Sequence, residues 1–143
     1  GDIPTKGTHS IGSGLIIDRR LIEIFDKHNL DVFDESYALY GVDISLFRRM
    51  WNLTDKGENF KIKTTSEILH SLSRVEGEEN SFRRLERTMD FAISVRRYPT
   101  TRSILSFFKR ALINIKKLRF KDLYLMISCY IRGAHPRCRN WHG

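Results

Sequence analysis

Hydrophobic residues in this chain recur mostly at intervals of three and four, the spacing of one face of a helix. From Leu15, the residues Ile17, Leu21, Ile24, Phe25 and His28 share a face, with Ile16 off that arc. The stretch from Asp31 to Leu53 predicts two short helices, with Asp34 and Asp43 as caps and Gly41 between them. Residues 53–63 read as a loop. Thr64 and Glu67 form a capping box for a helix to about Arg74, and the acidic stretch 76–80 is a turn. Asn80 or Ser81 caps a helix to about Arg97, in which Phe82, Leu85, Met89, Ala92 and Ile93 share a face. Pro99 breaks the chain, and Thr100 or Thr101 caps the next helix. There Ile104, Leu105, Phe107, Phe108, Ala111, Leu112, Ile115 and Leu118 form one broad apolar arc. Residues 120–131 are apolar nearly all round, which predicts a central helix, with a buried strand as the alternative.

The expected fold is all-α, a single-domain bundle of amphipathic helices. Residues 1–14, with four glycines and one proline, form a flexible N-terminal arm. Residues 15–132 form the helical domain, and 133–143 an irregular basic tail. A chain of 143 residues with 41% hydrophobic content can bury a core without a disulfide framework. It opens at Gly1, as a mature form, a fragment or a tagged product does, and shows no secretory signal. No apolar run approaches the roughly 18–20 residues of a membrane span.

Charge changes the picture most. Residues 1–80 hold 10 Lys+Arg against 14 Asp+Glu, whereas residues 81–143 hold 15 against 3. Surface charge of one sign calls for an anionic partner. The expected anion-binding surface is Arg83, Arg84, Arg87, Arg96, Arg97, Arg102, Lys109, Arg110, Lys116 and Lys117. Such tracks bind phosphates, sulfated glycans or anionic lipid headgroups. The plainer reading is a solvated, solubilising face. The expected apolar contacts are Phe91 and Val95, off the main arc of their helix, Ile113, which interrupts a basic side, and Phe107 and Phe108, on a face opposite five bases. For Phe107 and Phe108 the competing reading is core packing.

Other chemistry is thin. Cys129, His135, Cys138 and His142 supply four N/S groups, but their spacing matches no common zinc finger. A Cys129–Cys138 disulfide is a second reading, and two unpaired thiols with Cys129 buried a third. No metal site and no cofactor are expected. The chain has no Gly-rich phosphate loop, no G-x-S-x-G and no H-E-x-x-H, so no enzyme is expected. Asn52-Leu53-Thr54 is a glycosylation sequon, relevant only to a secreted protein.

The stretch from His70 to Leu112, with its paired arginines and two amphipathic helices, resembles the abalone sperm lysin family. The resemblance is one of length, charge and helix pattern, closer to the family's fusogenic sperm paralogue than to lysin. It implies a secreted, non-enzymatic protein of gamete interaction that acts on an anionic membrane or an egg-coat glycoprotein. The acidic first half departs from lysin. The alternative is a nucleic-acid-binding helical module, nuclear or viral, in which Trp51, Tyr98 or Trp141 stack on bases.

Overall fold

A computed structural model describes residues 2–10, 14–63 and 81–141. The fold is all-α, a bundle of amphipathic helices: α1 (Arg19–Lys27), α2 (Gly41–Asp55), α3 (Ser81–Arg97), α4 (Thr101–Lys116) and α5 (Phe120–Arg132). Two short strands, β1 (Asp2–Ile3) and β2 (Ile62–Lys63), pair antiparallel. The residues cluster into two compact units. One takes Gly1–Asp34 and Val42–Gly77, the other Glu35–Gly41 and Glu78–Gly143. The expected helix 64–74 and the acidic turn lie outside the described residues.

In the first unit, Phe25 of α1 packs with Leu46, Phe47, Met50 and Leu53 of α2 and with Phe60. α1 starts later than its apolar pattern, because the Asp18 side chain accepts from Arg20 N–H and caps it. One helix replaces the two expected between residues 31 and 53. Asp34 is buried against Arg49, 3.1 Å away, and lies seven residues before the start of α2. Asp43 sits within the first turn of α2, where its charge suits the helix dipole. The expected loop from residue 53 begins only after Asp55, and its end pairs as a strand. That pairing ties down residues 2–3, and Thr5 donates to the Phe60 carbonyl, so the expected flexible arm is partly anchored.

In the second unit α3 is the central helix. It packs most extensively on α5 and also on α4. Segment 35–41 docks on it through hydrogen bonds: Tyr37 with Ser94 at 3.0 Å, and Tyr40 and Gly41 N–H with the Asp90 carboxylate. Met89, Ala92, Ile93 and Val95 of α3 are buried, as are Met126 and Cys129 of α5. Thr100, one of the two expected caps, caps α4 and forms a box with Ser103. α5 is a helix, not a strand, and it ends on Gly133 at φ 69°. Its expected central position is not observed. Phe120, Tyr124, Ile127 and Ile131 are exposed, because only one side of α5 meets α3 and α4.

Candidate functional site

Each of α4 and α5 carries more apolar surface than its packing uses. On α4, Phe107 meets Tyr130 of α5 with ring centroids 4.8 Å apart, and Arg110 stacks on Phe91 of α3 at 4.3 Å. These contacts fix the covered side of the helix. Leu105, Phe108, Leu112 and Ile115 lie on the other side, spaced three, four and three residues apart. On α5, Asp122 faces Arg84 of α3 and Tyr130 faces α4. Phe120, Tyr124, Ile127 and Ile131 lie beyond, spaced four, three and four. With residues 100° apart around a helix, both stripes border the α4–α5 seam on the side away from α3. All eight side chains are between 41% and 67% exposed. Eight exposed apolar side chains on one face differ from the singly scattered hydrophobes of an ordinary surface.

Bases frame this face. Arg102, Lys109 and Lys116 recur every seven residues along the outer edge of α4, and all are exposed. Lys121 and Arg132 occupy the outer edge of α5 and are exposed too. The acids are elsewhere. Glu86, Asp90 and Asp122, the three acids of residues 81–143, are all buried. Glu86 pairs with Arg137, Asp122 with Arg84 at 3.1 Å, and Asp90 accepts from two backbone N–H groups. No exposed acid in this stretch offsets the bases around the face.

The ten expected anion-binding residues therefore divide. Arg102, Lys109 and Lys116 line the face. Lys117 stands at the α4–α5 corner. Arg110 is exposed but lies over Phe91, on the far side of α4. On α3, Arg84 pairs with Asp122 and Arg87 lies over Tyr40 at 5.2 Å, both half-buried, while Arg97 is exposed and donates to the Gly133 carbonyl at 3.0 Å. Arg83 is half-buried and Arg96 is exposed. No single Arg track runs across the unit.

Of the expected apolar contacts, Phe108 is on the face. Val95 is 2% exposed and belongs to the core, because α3 is covered on more than one side. Phe91 is half-buried beneath Arg110, and Phe107 is half-buried in the seam. Ile113 is exposed but lies past the Arg102–Lys109–Lys116 edge, off the stripe. Sequence reasoning missed Leu105, Leu112, Ile115, Phe120, Tyr124, Ile127 and Ile131 as surface residues, and Lys121 and Arg132 as their rim. Their heptad-like spacing was a signal, but it was assigned to the core. Of the residues expected to stack on bases, Trp51 is half-buried against the first unit's core and Tyr98 is half-buried in the second unit.

Comparisons with family models, curated proteins and solved structures found no match for this chain. No helix among the described residues is long and apolar enough to cross a membrane.

A second cluster is chemically distinctive but closed. His135, 1% exposed, donates its N–H to the Ser36 carbonyl and accepts from Arg137 N–H at Nδ1, 3.2 Å. The neutral ring therefore keeps its proton on Nε2, which faces the Glu86 carboxylate at 3.4 Å. Asp90 lies one turn beyond Glu86 on α3. Burial raises its carboxyl above the usual range, and the charge of Glu86 adds to this. Cys129 and Cys138 form no disulfide, and burial, then the charge of Asp90, pushes Cys129 up to about 11. Among the described residues no three His, Cys, Asp or Glu side chains gather for a metal, and His142 lies outside them.

Burial also holds the His135 imidazole below its usual 6.5, with Arg137 adding to this and Glu86 opposing it. An imidazolium would aim a second N–H at the Arg137 amide and break that bond. The unfolded chain takes up this proton near pH 6.5 and the folded chain only lower, so stability is lost as pH falls from 6.5 toward the folded pKa. The loss is up to ~1.4 kcal/mol per pH unit in that window. His135→Asn keeps an acceptor for Arg137 and removes the titration. Urea midpoints at pH 7.5 and 5.5 should differ less in this variant than in the wild type. Equal differences would assign the acid sensitivity to other groups.

Proposed function

We propose that this protein is a secreted, non-enzymatic, membrane-active protein that docks the α4–α5 face on an anionic bilayer. The observation that carries the reading is the exposed apolar stripe with bases along both outer edges and no exposed acid from residues 81–143. An apolar centre enters the boundary between headgroups and acyl chains, while Lys and Arg at its margins reach the phosphates. Each such base near an anionic surface contributes about 1 kcal/mol. A nucleic acid would use the bases but leave the five aliphatic side chains of the stripe, Leu105, Leu112, Ile115, Ile127 and Ile131, uncovered, which favours the bilayer. The resemblance to the sperm lysin family extends the reading to gamete interaction and membrane fusion.

Cosedimentation with vesicles tests it. Binding to vesicles containing phosphatidylserine, weak binding to phosphatidylcholine alone, and dye leakage that survives excess single-stranded RNA are expected. Lys109→Glu with Lys116→Glu should lower anionic-vesicle binding at least tenfold and leave helicity intact. Tight, salt-sensitive RNA binding with no vesicle binding would replace this reading with the nucleic-acid one.

A further inference from the structure

Among the described residues, two non-glycine residues hold positive φ: Asn29 and Leu118, both at 53°. Asparagine tolerates that conformation, whereas leucine rarely adopts it. Leu118 sits just past α4, where Lys117, Leu118 and Arg119 return their N–H groups to Ile113, Ile115 and Asn114 carbonyls. This is the helix-ending position that glycine usually fills. The same chain uses Gly133 there, at φ 69°, to end α5. A leucine at such a site needs compensation from packing, but Leu118 is 73% exposed. Among the described residues no packing contact offsets the strain of this largely exposed leucine. Two residues on, Phe120 is 61% exposed. The corner holds Lys116, Lys117, Arg119 and Lys121 and no acid between residues 116 and 121.

We propose that the α4–α5 corner is the point at which this protein penetrates an anionic bilayer, with Leu118 and Phe120 as the inserting side chains. The four bases pair with headgroup phosphates around them. The inference rests on the bilayer reading above and adds to it a site of entry. The left-handed turn projects Leu118 out of the helix end, and backbone strain persists where function over-determines it.

The test separates two quantities that a structural leucine would move together. Leu118→Gly relieves the strained backbone and removes little packed surface, so its melting temperature should rise by a few degrees. Its partition onto phosphatidylserine vesicles should fall about tenfold. Phe120→Ser should lower partition similarly, and Leu118→Asn gives a second substitution that tolerates the turn. Ile16→Ser, which removes an 87% exposed apolar side chain outside the face, should leave partition unchanged. A more stable Leu118→Gly with unaltered partition would overturn the corner as the entry point while the bilayer reading stands. A melting temperature that falls would show the leucine serves the fold and would overturn it too. Wild-type protein that ignores anionic vesicles would remove the bilayer reading itself, and the corner with it.

Discussion

Replacing Phe108 and Leu112 together by aspartate is expected to release the protein from anionic vesicles by at least a hundredfold. The two side chains lie one turn apart on the exposed stripe of α4, and both are more than half exposed. Removing them therefore costs the fold little. Each apolar side chain of this size gains about 1.5–3 kcal/mol on full burial. Losing two is worth roughly two to four powers of ten, and two new carboxylates facing anionic lipid add to the loss. Circular dichroism should be unchanged while cosedimentation is abolished. Ile113→Asp, on the other side of the basic edge, should weaken binding only a few-fold. Equal loss from Ile113→Asp would show that any added acid on α4 suffices, and the stripe would lose its special role.

Gly41→Ala is expected to destabilise the second unit by about 3 kcal/mol, the upper part of the range for overpacking a tight site. A β-carbon on Gly41 would lie 1.9 Å from Tyr37 Cδ1 and 2.3 Å from Cε1. The ring has little room to retreat, because Tyr37 is buried and its hydroxyl bonds to Ser94. Moving the backbone instead would pull Gly41 N–H from Asp90, 3.0 Å away, and leave a buried carboxylate short of a donor. The urea midpoint should fall accordingly. A midpoint within error of wild type would mean that segment 35–41 is free to leave α3 at little cost.

Much of the bundle was legible in the sequence, because its helix boundaries are local chemistry. Asp18 opens α1, and Thr100 with Ser103 opens α4, as polar caps do wherever they precede a periodic segment. The site was less legible. Amphipathic spacing says which residues share a face, but not whether another element covers it. The apolar arc of α4 splits into a seam half, Phe107 and Ala111, and an open half, Leu105 and Leu112, with nothing in the pattern to tell them apart. For α5, apolarity all round signified burial, and three helices are too few to surround it. Val95 failed in the opposite direction: it lies off its helix's main arc, yet α3 is packed on several sides. The sequence shows only that residues 81–143 hold three acids; their burial, which leaves that stretch with no exposed acid, is a property of the fold alone.

The contrast between the two thiols has a practical consequence. Cys129 is buried with its pKa pushed up to about 11, so near neutral pH it holds almost no thiolate and resists alkylation. Cys138 is half-exposed, on the turn whose start at His135 is held by the Ser36 carbonyl. A maleimide dye added to the unmodified chain should therefore attach at one position, giving a fluorescent reporter of that turn without any engineered cysteine.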